Sequence, residues 1–216
     1  EEIKSLLTTL DEAIAKDKNA VTDKTKVAVI LGGYSSERHI SVESGRNIYE
    51  KLASSTKYEP IPVFLTGNAQ EHLMYQIPIN ILLKDNADDI KDKIYAFKKH
   101  PIVEKIKQQC RQITAKYGSR NITFEPVQWD YATLRHTCDE VFIALHGRPG
   151  EDGTVQSLLE PLKLPYNGSQ QHSSQITINK FDTLQILHKQ GLTVTDQLLV
   201  YKKDFNENIE NVIEQV

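Results

Sequence analysis

The sequence predicts an α/β fold: a mainly parallel sheet with helices on both faces. Three observations predict it. Lys26–Leu31 (KVAVIL) is a short, β-branched apolar run closed by Gly32-Gly33, as a fully buried parallel strand requires. A second such run, VFIAL, lies within Glu140–Gly153 and ends on His146-Gly147. Helical spacing follows the first run at Val42, Gly45, Ile48, Tyr49 and Leu52, and a helix over Thr154–Leu162 follows the second. The order β-α-β, excursion, β-α-β-α-β-α is that of a sheet covered by helices on both sides.

Composition narrows the function class. With 216 residues the chain can hold one or two domains, and a hydrophobic fraction of 39% is enough for a core. A net charge of −3 gives no nucleic-acid footprint. No apolar run reaches the roughly 18 residues of a membrane span, and EEIKSLL lacks a signal core. Cys110 and Cys138 have no CxxC spacing, so they read as thiols in a reducing compartment, and no Cys/His cluster has zinc-ligand spacing.

The elements follow in order. Ile3, Leu6, Leu7, Leu10, Ala13 and Ile14 make residues 1–20 an amphipathic helix, an arm packing on this domain or the end of something upstream. The chain opens at Glu1, not Met, which reads as a piece of a longer protein. Tyr58–Leu65 is strand-like, and its two prolines push it toward a sheet edge. Residues 67–136 read as a long surface excursion. It holds charged helices over Asn86–His100 and Pro101–Tyr117, the second with Pro101 in its first turn and an apolar stripe ending at Gly118. Ile122–Gln128 is a candidate strand, and the many lysines read as a solvated face. Asp152 can cap the helix that follows it. Leu164–Tyr166 reads as a short strand and Ser174–Gln190 as one helix stopped by Gly191. Val194–Tyr201 reads as a further strand, and Asp204–Val216 as a helix capped by Asp204.

Two residues stand out. Glu37 lies in the turn between the first strand and its helix, where open α/β sheets bind small ligands. It is a candidate substrate contact, and it equally fits a helix-entry charge favoured by the macrodipole. His146, at the second strand end beside glycines, is a ligand contact or a turn residue bonded to nearby backbone. The two strand ends are expected to share one rim.

Three blocks then become specific: GGYSSERHISVESG, FIALHGRPGEDGTVQSLLEPLKLPYNGS and SSQITINK. In this order they resemble the D-alanine–D-alanine ligases, an ATP-grasp family with a Rossmann-like N-terminal domain. The resemblance runs from Lys26 to about Lys203. It implies a leading helix and linker over 1–25 and a substrate domain over 26–178, interrupted at about 67–136. The start of the central ATP-grasp domain would occupy 179–216. Residue by residue, it implies that Glu37 holds the α-ammonium of the first D-alanine, that His146 lies near that substrate, and that Lys180 reaches an ATP phosphate. Asn179 stands where the family usually has Asp, and Gln175 where it usually has Ala. The family's phosphate-covering loop, oxyanion-stabilising arginine and metal ligands would lie beyond residue 216, so this segment alone is expected to be inactive.

The resemblance further implies ATP and Mg2+, a cytoplasmic place in peptidoglycan precursor synthesis, and a homodimer formed through this domain. Relatives that join D-alanine to D-lactate or D-serine, or a non-catalytic scaffold keeping the fold, are the alternatives.

Overall fold

The computed structural model describes residues 2–20, 24–98, 100–113, 123–207 and 209–214. Its centre is β1 (Thr25–Gly32), whose last six residues are buried. β2 (Tyr58–Gly67) pairs parallel with β1 over Thr25–Gly32, the longest ladder, and β5 (Glu140–Ile143) pairs parallel on the other side. β3 (His72–Gln76) and β4 (Val127–Trp129) continue the sheet antiparallel beyond β2, giving the order β4-β3-β2-β1-β5. The α/β class therefore holds, as one open five-stranded sheet flanked by helices.

The strand period sorts the core into two layers. Ala28 and Ile30 face a cluster with Leu134 of α6 (Tyr131–Thr137) and with Val155 and Leu159 of α7 (Thr154–Leu159). Val29 and Leu31 face the opposite cluster, with Val42, Leu82 and Ile90. These come from α2 (Arg38–Ala53), α3 (Ile79–Lys84) and α4 (Ala87–Ala96). Between α4 and β4 lies α5 (Pro101–Gln109).

Gly45 sets how closely α2 sits on β1. A Cβ built there would lie 2.6 Å from Leu31 Cβ, an atom tied to the backbone that cannot rotate away. Gly45→Ala is expected to cost about 2 kcal/mol, because overpacking outweighs the gain in helix propensity. A lower denaturation midpoint with an unchanged m-value checks this; an unchanged midpoint refutes it.

The proline argument for β2 applies to half the strand. β2 is internal to the sheet, but β3 pairs only with Val63–Gly67. Pro62 O accepts from Ile77 N at 3.1 Å, so the nitrogens of Pro60 and Pro62 point to the side where β3 has already ended. Pro62, lacking an N–H, cannot return that bond to Ile77, and the ladder with β3 stops there.

The 67–136 excursion is not a surface insertion throughout. It supplies β3, β4, α3, α4 and α6, and it buries Met74, Ile77, Leu82, Ile90 and Leu134 in the core. Its first strand is short and lacks β-branched residues, so only pairing with β2 makes it a strand. The expected amphipathic stripes are present but uncovered. In α1 (Glu2–Ala20) Ile3 is 76% and Leu6 71% exposed, so this face does not pack on the domain. In α5 the stripe Ile102, Val103 and Ile106 is exposed as well. Pro101 does sit in the first turn of α5, where His100 Nδ1 accepts from Ile102 N. The expected continuation to Tyr117 and Gly118, and the start of the strand at Ile122, lie outside the described residues.

Three further expectations change in the C-terminal part. The single helix over Ser174–Gln190 is two, α8 (Gln171–Thr177) and α9 (Lys180–Lys189). Asn179 divides them: its side-chain oxygen accepts from Phe181 N and Asp182 N, and asparagine favours a cap over a helix interior. The short strand at Leu164–Tyr166 reduces to one bridge, Val141 to Tyr166, beyond which the Asn167 side chain pairs with both backbone groups of Ile143. Val194–Tyr201 forms no strand, because among the described residues no neighbouring strand offers it a ladder. The last helix starts at Lys202, in α10 (Lys202–Glu207) followed by α11 (Ile209–Glu214), so Asp204 falls inside its first turn and not at its cap. Val216 lies outside the described residues.

Candidate functional site

Where β1 leaves the sheet, Gly32 and Gly33 both have φ above 90°. A Cβ at Gly32 would strike the Phe64 ring at 2.6 Å, so this bend needs glycine for conformation and for space. α2 carries the chain from here to β2 on one side, while β5 lies on the other. The strand order therefore reverses between β1 and β5, and a crevice opens at their carboxyl ends.

Side chains of the turn and of α2 stitch those two ends together. Ser41, fully buried, accepts from Gly32 N at 2.8 Å and donates to Ala144 O at 2.9 Å. Ser35 Oγ donates to His146 O at 2.8 Å and accepts from Glu37 N at 3.1 Å. Ser44 Oγ shares a 2.8 Å hydrogen bond with His146 Nε2, fixing the imidazole against α2.

Glu37 and His146 thus meet at one rim, as the sequence predicts. A Cβ built on Gly147, the residue after His146, would lie 3.0 Å from Glu37 Oε2. Glu37 stands at the N-cap of α2, yet its side chain makes no capping hydrogen bond. The helix-entry reading therefore accounts for its position but not for the direction of its carboxylate. The neighbouring cations are committed elsewhere. Arg38 binds Asp88 through Nε at 2.8 Å and Nη2 at 3.0 Å, and His39 Nε2 is 3.3 Å from the same carboxylate. Among the described residues Glu37 has no ion pair, and it is exposed to solvent.

The loop after β5 is shaped by its own bonds. Gly150 N and Glu151 N both donate to Gly147 O at 2.9 Å, and the Arg148-Pro149 peptide is cis. Asp152 Oδ1 accepts from Thr154 N at 3.0 Å, so Asp152 does serve the start of α7 from just outside its N-cap. Beyond this loop lies a cavity of about 380 Å³, lined by Leu145, Gly150, Glu151, Gln156, Asn167 and Ser174 among others. Glu37, His146 and Lys180 do not line it.

Lys180 is the first residue of α9 and is exposed; no hydrogen bond or ion pair joins it to Glu37 or His146. The structure brings Glu37 and His146 together at one rim, and among the described residues no bond ties Lys180 to either. Among the described residues no group of three His, Cys, Asp or Glu could hold a metal ion, and no helix is long and apolar enough to cross a membrane. Ser41 and Ser44 escaped the sequence reading as site residues. Their signal was spacing: four and seven residues after Glu37, they share its helix face.

Comparison with known proteins gives the family and the fold. A model of the family described as D-ala D-ala ligase N-terminus matches residues 26–169. A D-alanine–D-alanine ligase of Chloroherpeton thalassium is 34% identical over 193 residues, covering 88% of this chain and 48% of that protein. One of Thermoanaerobacter is 30% identical over 194 residues, covering 90% and 48%. This chain thus spans about half the length of the curated relatives it matches. In fold it is similar to the D-alanine-D-alanine ligase of Coxiella burnetii (TM-score 0.54, 24% identity, 90% of this chain and 49% of that one). It is also similar to the VanG D-Ala:D-Ser ligase of Enterococcus faecalis (TM-score 0.54, 18% identity, 90% and 50%). Because the family model matches residues 26–169, well over half of the 216 residues, this chain belongs to the D-ala D-ala ligase N-terminus family.

Proposed function

We propose that this chain forms the amino-acid-binding side of an ATP-dependent ligase that joins two D-alanines for peptidoglycan precursor synthesis in the cytoplasm. The observation that supports it most is the Glu37 carboxylate, uncommitted to any partner and directed at the Gly147 backbone in the switch-point crevice. A carboxylate with free acceptor capacity suits a substrate ammonium, because the charge-assisted hydrogen bond both holds and orients it. His146, held by Ser44, borders the same crevice and would set the orientation of the bound amino acid.

Lys180 would supply a positive charge to an ATP phosphate, and Asn179 would fix it at the first turn of α9. Residues 26–178 would act as the substrate domain and 179–216 as the start of the nucleotide domain. ATP would convert the first D-alanine's carboxylate to an acyl phosphate with release of ADP. The second amine would then displace phosphate and lose a proton. Mg2+ would be held outside this chain's residues. A homodimer through this domain completes the reading.

The test is the full-length gene product with ATP, Mg2+ and D-alanine. Formation of the dipeptide with one ADP released per bond is expected; no D-alanine-dependent ADP release would refute the proposal. D-lactate and D-serine as second substrates decide among the related ligases. The exposed apolar faces of α1 and α5 favour the scaffold reading instead. A full-length product that binds neither D-alanine nor nucleotide would establish that reading.

A further inference from the structure

Behind the substrate turn, on the face of the sheet away from α2, four segments bring titratable groups together. Tyr34 comes from the turn itself, one residue before Ser35 and three before Glu37. His72 opens β3, Tyr131 opens α6, and Arg148 with Asp152 comes from the loop after β5. The His72 ring stands between the two tyrosines, 6.0 Å from Tyr34 and 6.4 Å from Tyr131 between centroids. His72 Nδ1 shares a 2.9 Å hydrogen bond with Tyr131 Oη. Among the described residues His72 Nε2 is buried with no hydrogen-bond partner.

We propose that His72 is a positioning residue for the substrate turn: in its neutral form it clamps Tyr34, and through Tyr34 it holds Ser35 and Glu37 in register with His146. This rests on the reading of Glu37 as the ammonium anchor.

A neutral imidazole carries one N–H. If Nδ1 accepts from Tyr131, Nε2 holds a buried hydrogen with no acceptor; if Nδ1 donates, Nε2 is a buried acceptor with no donor. Either way a buried polar atom goes unsatisfied, a cost a phenylalanine would avoid. The ring that carries this cost touches the turn on one side and α6 on the other. Hydrogen bonds fix both sides of Tyr34, Gly33 N to Leu65 O at 2.8 Å before it and Ser35 Oγ to His146 O after it, but its side chain is held by packing at the edge of the core. The tilted ring contact with His72 adds a restraint on that side chain.

The charge state matters because of what surrounds the ring. Burial pushes His72 below its usual 6.5, with Asp152 a smaller opposing influence. Burial raises Tyr34 and Tyr131, so both rings stay neutral near pH 7 and offer no countercharge. Among the described residues Asp152 is the acid that acts on His72, and it is already held by Thr154 N and by Arg148 at 3.6 Å. A proton on His72 must therefore break the tilted ring contact or draw Asp152 from the loop, and either movement displaces Tyr34. The sign follows: the clamp is fully present above pH 6.5 and weakens as pH falls below it.

The test uses D-alanine titrations of the full-length protein between pH 5.5 and 8, with His72→Phe, His72→Gln and Glu37→Gln beside the native sequence. His72→Phe is expected to weaken D-alanine binding about fivefold at pH 7.5 with kcat little changed. It should also remove the part of the pH dependence that follows His72. His72→Gln, which retains a hydrogen bond to Tyr131, should bind closer to native at pH 7.5 and be equally flat with pH. Native affinity and an unaltered pH profile in both variants would overturn the inference. A second readout needs no substrate: the backbone amide resonances of Ser35 and Glu37 should shift with the titration of the His72 ring. Shifted amides with native binding in Glu37→Gln would sink the function of Glu37 and keep the clamp. Unshifted amides with impaired Glu37→Gln would sink the clamp and keep the function. If His72→Phe fails to fold, His72→Gln and the amide titration of the native chain decide.

Discussion

Glu37→Gln in the full-length protein is expected to raise the Kd for D-alanine ten- to a hundredfold while leaving the fold intact. The substitution keeps the shape of the side chain and removes one charge. A hydrogen bond to a charged partner is worth about 1.5–3 kcal/mol where water is excluded, which sets that range. In this chain the carboxylate is open to solvent, and an exposed ion pair is worth only about 0.2–1 kcal/mol. The 216-residue chain alone should therefore bind D-alanine weakly and lose at most about fivefold on the same change. Calorimetric titration of both proteins checks the pair of values. Equal, small losses in both would mean that nothing covers Glu37, and an unchanged Kd in the full-length protein would remove its role. Stability should hardly move, since the side chain makes no capping bond to α2.

Ser41→Ala is expected to be the most damaging single-atom change at the site, costing about 2–4 kcal/mol of stability. The hydroxyl is wholly buried and serves two backbone groups at once, Gly32 N and Ala144 O. Its removal leaves a buried donor and a buried acceptor unsatisfied, each at about 1–3 kcal/mol. Among the described residues no other side chain bonds Gly32 N and Ala144 O, and the Ser35 bond to His146 O lies beyond them at the rim. The ends of β1 and β5 should then separate, carrying Glu37 from His146. Chemical denaturation gives the stability, and faster hydrogen exchange at Gly32 N reports the local opening. Ser44→Ala is the comparison: Ser44 is half-buried and bonds only the His146 ring, so a loss below about 1 kcal/mol is expected. A Ser41→Ala protein as stable as Ser44→Ala would refute the bridging role.

Much of the fold was legible because periodicity reports burial. β1, α2, β2, β5 and α7 each carry a pattern that only a buried strand or a one-faced helix explains. Failures came where a segment's state depends on a distant partner. His72–Gln76 is a strand because β2 offers it an edge, and Val194–Tyr201 is not one because no edge reaches it. Asn179 broke a helix that apolar spacing alone would have continued, since its side chain answers two helix N–H groups more directly than a helical turn would.

By itself, the sequence determined the class of fold, the two glycine bends, and the pair Glu37 and His146 at strand ends. These follow from local rules of backbone freedom and side-chain period, which need no knowledge of neighbours. Only the tertiary structure decided that the 67–136 segment completes the sheet, and that Ser41 ties the two strand ends. It alone set Glu37 free of Arg38, by giving that arginine Asp88 from α4. The reason is physical: each of these depends on contacts between residues far apart in the chain, made when the sheet closes and not encoded in any one stretch.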